Sequence, residues 1–599
     1  MSQVSRREFL RGAGRAGLAL GLLGLSAGCV NRADGEYDAV VIGGGTAGAI
    51  VAAKLQSAGG GQRRILVIEA GGPTSALIGG TNYPEWVPEG RTDLTVCDVP
   101  GEYSNLAFLP GGEPYELTDT PFTAQYTGLG GNSQFNGMLF QTNPPRQFDA
   151  EWPSGWGWAD LEVYFDRVRK RFNVTDTPST DGVAYNTGPA QIIHPLYQQT
   201  GWAEGDTSRM FDGGVYGRPC VVSADGRRAG PISEDFADID PGGVAAEGLE
   251  ILQFTKANSI EFDSSGKALA VHYTNRGALD QTIAGTDGAA HLKSDGFVVM
   301  AAGALITPKV LYSSGVGPSG RESEIFPEGP SRAFSIDNQL VGVGLYDHVM
   351  SMVAYNYDGS IPYSAYNYSN YAANKADLEA YLENGRGPYA QYLPVSILNY
   401  RRQSDVPDVE IFLDPQGPLP KDGPYYGPRT LSAHVMLLCP KARGIVALDA
   451  GGDVCEPDIY LPDTPDGNDD ADLMAHAVHD MIQLFKNDPP LSISFGPGSS
   501  SHENLDPDDL ADVRTYVTSM LPVSDVHFSR MITNHYGGTA PLSGGPGGVD
   551  PQTLILRGTE NVAVADASLM PVPSAAHPVG TIMAVAERAG EILASRWHG

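Results

Sequence analysis

An α/β fold with a parallel sheet, joined to a second domain on an antiparallel sheet, is what this 599-residue sequence predicts. Three observations lead there. A strand, a glycine turn, a helix and a second strand run in order from Tyr37 to Glu69. Short apolar runs, the mark of parallel strands buried on both faces, return at Phe297–Ala301 and Val562–Ala565. Alternating segments such as Val409–Leu413, Ser432–Leu438 and Ile445–Leu448 fall between about 330 and 530, as in an antiparallel sheet. A chain this long exceeds one core, so at least two domains are expected.

The first unit carries the clearest chemistry. Ala39–Ile42 is an apolar strand that empties into Gly43, Gly45 and Gly48, the G-x-G-x-x-G spacing, and then an Ala-rich helix. Those glycines suit a tight turn, backbone approach to a pyrophosphate and close helix–strand packing. The helix N-terminus offers free N–H groups and a positive dipole end to phosphates. A second strand, Ile65–Ile68, ends in Glu69, 21 residues beyond Gly48. A carboxylate there accepts from a ribose 2′-hydroxyl, which favours FAD or NAD over NADP. The unit reads as a Rossmann-type dinucleotide site.

The formal charge is −32, and residues 1–28 carry four Arg and one Glu, so the remainder is near −35. Such a surface repels phosphate backbones, which argues against nucleic-acid binding. Ser5-Arg6-Arg7-Glu8-Phe9-Leu10 is a twin-arginine pattern, followed by an apolar run, Leu18–Leu25, too short to span a bilayer. Residues 1–28 therefore read as an export signal for a prefolded protein. Ser26-Ala27-Gly28-Cys29 resembles a lipoprotein cleavage box, with Ser26 where an aliphatic residue is usual. The expectation is a cell-envelope lipoprotein, tethered through residues 29–36 and touching the membrane only by a lipid on Cys29. Outside the cytoplasm, disulfides among Cys97, Cys220, Cys439 and Cys455 become possible, and their spacing selects no pair.

Farther along, Gly128–Phe140 (GLGGNSQFNGMLF) combines paired glycines with Asn132, Ser133 and Asn136, suited to backbone meeting a planar ring. An amphipathic helix is expected after Gly157, with Asp160 as its cap. Another should run from Gly303 to Ser314, stopped by Gly315 and Pro318. His476 and His479 sit at i, i+3 on a predicted helix without a third ligand, so no metal is expected. Tyrosines at 363–371, with Tyr389 and Tyr392, either stack sugar rings or belong to a core or interface. Near the C-terminus, Asn534-His535-Tyr536-Gly537-Gly538-Thr539, the strand ending in Asp566, and His577-Pro578-Val579-Gly580 lie in loops at element ends, where sites concentrate.

Taken together, GGGTAG with Glu69, GGNSQFNGMLF, AAGALITPKVLYSSGVGP, Gly344-Leu345-Tyr346-Asp347-His348, the His535 segment and VADASLMP before His577 resemble the glucose–methanol–choline (GMC) family of FAD oxidoreductases. The likeness covers nearly the whole mature chain. Pro178–Gly182, Gly226–Pro231, Ala442-Arg443-Gly444 and the Asn534-His535 pair are most like the flavin domain of cellobiose dehydrogenase, without any haem motif. That group often carries Asn where His577 stands. The resemblance implies an FAD-binding domain of residues 37–329 plus 535–599, with substrate-domain insertions at about 150–215, and a substrate-binding domain of 330–534.

It further implies cofactor contacts at Gly43, Gly45, Thr46, Ala47, Gly48, Glu69, Gly131, Asn132, Ser133, Asn136, Gly137, Met138, Ala257, Asp566, Ala567, Pro578 and Val579. Asn534 and Arg443 would contact substrate, His535 would be the base and His577 its partner. The implied reaction oxidises a CH–OH group of a sugar or alcohol by hydride transfer to flavin N5, with electrons passed to a quinone or cytochrome. An oxidase making peroxide and a cyanohydrin lyase with structural FAD are the competing activities. Non-covalent FAD is expected, because Phe135 stands where covalent members carry the linking His.

Overall fold

The computed structural model describes residues 35–106, 116–117, 126–236, 247–277, 285–329, 332–391, 394–415, 429–455, 459, 464–486, 490–520 and 533–597. The export signal, Cys29 and Tyr392 lie outside the described residues. In chain order, β1 (Glu36–Ile42), α1 (Thr46–Gly59) and β2 (Ile65–Ile68) form the expected first unit. Then come α2 (Trp158–Arg171), β3 (Ala203–Glu204) and β4 (Val215–Gly217). Strands β5 (Leu249–Leu252), β6 (Thr255–Phe262), β7 (Ala268–Asn275) and β8 (Thr286–Met300) precede helix α3 (Ile306–Ser313). The middle of the chain gives β9 (Val349–Tyr357), β10 (Ser396–Tyr400), β11 (Val409–Asp414) and β12 (Thr430–Leu437). Helix α4 (Pro465–Lys486), β13 (Leu491–Phe495), α5 (Leu510–Met520), β14 (Val562–Val564) and α6 (Val579–Ser595) follow.

Two seven-stranded sheets organise these elements. The first runs β5-β2-β1-β8-β7-β6, with β14 also paired to β8. Strands β5, β2, β1, β8 and β14 are mutually parallel, and their apolar sequences follow from burial on both faces. Strand β8 is long enough to serve twice: residues 286–291 pair antiparallel with β7, and Phe297–Met300 lie parallel between β1 and β14. Ile42, Met300 and Val564 end side by side, so the turns after three parallel strands open on one edge. Outside the carboxyl ends of such strands is where open α/β sheets bind ligands.

The second sheet runs β13-β9-β12-β11-β10-β4-β3 and is antiparallel except for the short β3–β4 pair. Residues 203–217 thus join the sheet expected of residues 330–534 across a long sequence gap. The C-terminal helix returns to the first sheet by packing on α1 and α2. Its buried Glu587 takes Lys54 at 2.6 Å and Arg171 at 2.8 Å. Burying a carboxylate this completely is tolerable only because cations from both helices reach it.

One local expectation needs correction and one open choice is narrowed. Asp160 does not cap α2; Gly157 is the N-cap, and Asp160 lies in the first turn, where its carboxylate accepts from Gly157 N at 3.2 Å. The capping oxygen at Trp158 N comes instead from Asp149 at 2.8 Å, nine residues upstream. Of the tyrosines at 363–371 and Tyr389, Tyr368 and Tyr389 are core: with Tyr381 they are buried together with Leu94 and Val99, and Tyr366 and Tyr371 pack half-buried against them.

Candidate functional site

The first half of the site is backbone. Gly43 has φ +100°, and a Cβ on it would meet Ala301 O at 2.4 Å; at Gly48 a Cβ would meet Gly43 O at 1.9 Å. Only glycine lets α1 press against its own entry turn this way. Helix α1 starts at Gly45 with no capping side chain and no acid in its first turn, so its N–H groups stay available to an anion. Against that turn lies the 128–138 loop. Gly130 N donates to Gly44 O at 2.8 Å, and a Cβ on Gly131 would meet Gly45 Cα at 3.0 Å. Thr46 Oγ1 donates to Gly130 O at 3.3 Å and accepts from Ser133 N at 3.2 Å. A pyrophosphate cradle with room for backbone approach fits this geometry.

Glu69 is buried at the end of β2, and its carboxylate accepts from Gly44 N at 2.7 Å and Gly71 N at 2.8 Å. Burial raises its pKa, while these amide bonds oppose the rise. The Gly128 and Ala70 amides act on the same carboxylate, so the end of β2 holds it among backbone N–H groups. Ala257 lies on β6, two residues past Thr255, whose N–H donates to Glu69 O at 2.8 Å. Asp566, by contrast, is engaged by the chain itself: Gly303 N at 2.7 Å, Thr307 Oγ1 at 2.6 Å and Ser568 N at 2.8 Å. It braces the turn after β8 against the turn carrying Ala567.

The Asn132–Met138 stretch is held from beneath. Arg228, buried, donates to Asn136 O at 2.7 Å, Asn136 Oδ1 at 2.8 Å and Cys97 O at 3.0 Å. Met138 takes φ +61°, with its N–H on Asn136 Oδ1 at 3.0 Å, and Gly137 lies between. Phe135 is buried and stacks on Tyr126, centroids 4.1 Å apart. Sequence reasoning flagged the Gly226–Pro231 motif without a role, and clamping this loop is what Arg228 does.

The second half is a group of side chains from distant segments. Asp347 accepts from His535 N and Thr533 Oγ1, both at 2.6 Å, and from Asn534 N at 3.3 Å. This carboxylate holds a turn in which Asn534 takes φ +61°, a conformation Asn tolerates better than most residues. The next residue, His348, holds the ring: His348 Nδ1 and His535 Nδ1 are 2.9 Å apart. His348 Nε2 lies 2.9 Å from Ser574 O. The His535 and His577 rings are 5.1 Å apart.

His577 Nε2–H donates to Glu410 Oε1 at 2.7 Å, with Glu410 fully buried. Gln141 bridges them, donating to Glu410 Oε2 at 2.9 Å and accepting from His577 N at 3.0 Å. Pro578 and Val579 begin α6 just beyond, without a side-chain cap. Arg443 lies over the Tyr346 ring at 5.4 Å, and Tyr346 in turn pairs with Gly537 beside His535. Desolvation lowers the pKa of His535 well below its ordinary value, and His348 falls to about 3 for the same first reason, with His577 adding repulsion to both.

The structure brings His535, His577 and Asn534, all singled out in the sequence, into one neighbourhood. Glu410, Gln141 and His348 were not assigned as site residues. Glu410 lies on β11, where the alternation of Val409, Ile411 and Leu413 puts it on the opposite face with Asp414, so the sequence reads it as an ordinary solvated acid. His476 and His479 lie apart on α4, where His476 Nδ1 meets the backbone oxygen of Asp472 at 2.8 Å. Cys97, Cys220, Cys439 and Cys455 are all free thiols.

Two family models, both described as GMC oxidoreductase, match residues 37–350 and 440–586. An oxygen-dependent choline dehydrogenase from Xanthomonas euvesicatoria pv. vesicatoria is 25% identical over 63% of this chain and 65% of its own length. The chain thus spans just under two thirds of that relative. An ecdysone oxidase from Spodoptera littoralis is 24% identical over 94% of this chain and 92% of its own. An alcohol dehydrogenase [acceptor] from Pseudomonas putida is 24% identical over 82% and 85%. Among solved structures, a formate oxidase superposes with TM-score 0.72 at 18% identity, over 94% of this chain and 99% of its own. A fungal aryl-alcohol oxidase reaches TM-score 0.67 at 20% identity, over 94% and 100%. At these identities the structural likeness establishes the fold.

Proposed function

The chain belongs to the GMC oxidoreductase family, with FAD as cofactor, and on that premise we propose that it oxidises the CH–OH group of a small alcohol or sugar. The observation that carries this reading is the juxtaposition of His535 and His577, each held by a different partner. FAD, when bound, supplies the hydride acceptor at flavin N5. The chain's own residues manage the proton and the oxygen. His535, kept neutral by desolvation, is the base that takes the hydroxyl proton. A base of this kind is typically worth ~10²–10⁴-fold.

His577 has its Nε2–H on a buried carboxylate, so its Nδ1 faces the other way; protonated there as well, the ring donates to the substrate oxygen as negative charge develops. Glu410 favours positive charge on that ring, the role a carboxylate plays behind any histidine that gains charge. Asn534 and Arg443 orient the substrate's other hydroxyls. In the cofactor half, the α1 turn holds the pyrophosphate, Glu69 the ribose and the 131–138 loop the ring system.

Electrons pass to a quinone, cytochrome or similar carrier rather than to oxygen. The support is the twin-arginine signal with Cys29, which would tether the enzyme beside membrane acceptors. The test is stopped-flow mixing of purified holoenzyme with a panel of sugars and alcohols without oxygen. Substrate-dependent flavin bleaching is expected, and dye reduction should exceed peroxide formation once oxygen is admitted. An unbleached flavin in an enzyme that cleaves cyanohydrins would overturn the reading. In the same assay, His535→Ala should lose ~10²–10⁴-fold in bleaching rate with FAD retained, and His577→Ala less.

A further inference from the structure

We infer that His348 is a positioning residue that fixes the tautomer of His535, so that the lone pair of the base sits on Nε2. The inference rests on His535 being the base. The argument starts at Ser574, whose carbonyl oxygen can only accept a hydrogen bond. His348 Nε2, 2.9 Å away, must therefore carry the proton. His348 is 1% exposed, and burial with neighbouring His577 keeps its ring neutral. A neutral imidazole with its proton on Nε2 has a bare Nδ1 that can only accept. The 2.9 Å contact between His348 Nδ1 and His535 Nδ1 consequently takes its proton from His535. His535, neutral as well, is then Nδ1–H, and its Nε2 is bare. Among the described residues no side chain occupies that nitrogen.

The two residues of the Asp347-His348 pair divide the task. Asp347 fixes the backbone of the His535 turn through its N–H groups, while His348 fixes the ring and its proton. The charged and titratable groups around this pair are His577 on the α6 side, Glu410 behind His577 on β11, and Asp347 on the turn itself. None of them is hydrogen-bonded to either nitrogen of the His535 ring among the described residues. Among the described residues, His348 is thus the group whose hydrogen bond decides which nitrogen is protonated.

The test uses full-length holoenzyme labelled with ring-¹⁵N histidine, with His535 assigned by its loss in His535→Gln. Wild-type His535 should show a protonated Nδ1 and an unprotonated Nε2 at neutral pH, without any substrate. In His348→Leu the acceptor is gone, and the His535 proton should redistribute toward Nε2. His348→Asn, whose side-chain oxygen can still accept near the Nδ1 position, should restore the wild-type tautomer. Flavin reduction by a substrate from the panel should slow about 10- to 100-fold in His348→Leu, as for loss of one buried hydrogen bond, and recover in His348→Asn. The inference fails if wild-type His535 is protonated on Nε2, or if His348→Leu leaves tautomer and rate unchanged. Should His348→Leu not fold, the wild-type tautomer decides by itself. A normal rate in His535→Ala would instead overturn the base assignment, while the tautomer spectrum would still judge His348.

Discussion

Replacing Glu410 by Gln removes the charge behind His577 while keeping the side chain's volume. The residue is fully buried, and both oxygens are used: Oε1 by His577 at 2.7 Å and Oε2 by Gln141 at 2.9 Å. Gln can still accept from His577 Nε2–H through its one oxygen, but its amide nitrogen then faces the Gln141 Nε2 donor, so the charge and the Gln141 bond are lost together. Hydrogen bonds to charged groups contribute about 1.5–3 kcal/mol net and neutral ones about 0.5–1.5, so the bond alone loses about 1 kcal/mol. If the His577 ring has to be cationic to donate to the anionic oxygen, the loss is instead the attraction that keeps it so, about 4 kcal/mol for two unit charges about 4 Å apart at an effective dielectric of about 20. The rate of flavin reduction should therefore fall between about 5-fold and about 10³-fold, each 1.36 kcal/mol being tenfold. The assay is anaerobic stopped flow on enzyme whose FAD content and unfolding temperature match wild type. A rate within about twofold of wild type would refute the argument, since a neutral amide would then serve as well as the carboxylate.

Three further outcomes are expected. FAD should dissociate on acid denaturation, because Phe135 is packed on Tyr126 where a covalent linkage would need a nucleophile; yellow colour in the pellet counts against this. Stability should fall with pH below about 6.5, the unfolded value of a histidine. His348, pushed down to about 3, stays unprotonated in the fold while the unfolded chain takes up its proton, so the contribution is complete above about 6.5 and lost as pH drops toward 3. Thermal melts of wild type and His348→Leu from pH 7.5 to 5 check it, and parallel slopes would show that His348 is not responsible. Cys29→Ser should move the exported protein from membranes to the soluble fraction, since the multiple acyl chains of a bacterial lipoprotein hold far more firmly than one; wild-type protein already soluble and uncleaved at Cys29 would contradict the anchor.

What the sequence determined alone is what depends on local spacing. Three glycines at fixed offsets after an apolar strand permit one turn and one helix approach, and Gly43, Gly45 and Gly48 adopt them. An apolar run too short for a helix reads as a buried strand, and Phe297–Met300 and Val562–Val564 are such strands. His535 and His577 stood out because glycine and proline loops at element ends carry chemistry in most folds. Tertiary structure decided what joins them. Glu410 and His577 are 167 residues apart and belong to different sheets' segments, so nothing in either neighbourhood implies a 2.7 Å bond. His348 and His535 are 187 apart and meet because β9 enters beside the turn that Asp347 caps. The tyrosines were ambiguous for the same reason: aromatic side chains suit a sugar face and a core equally, and only the packing around Tyr368, Tyr381 and Tyr389 makes them core. Periodicity and turn chemistry act over a few residues, whereas a buried charge finds its partner only after the sheets have closed over it.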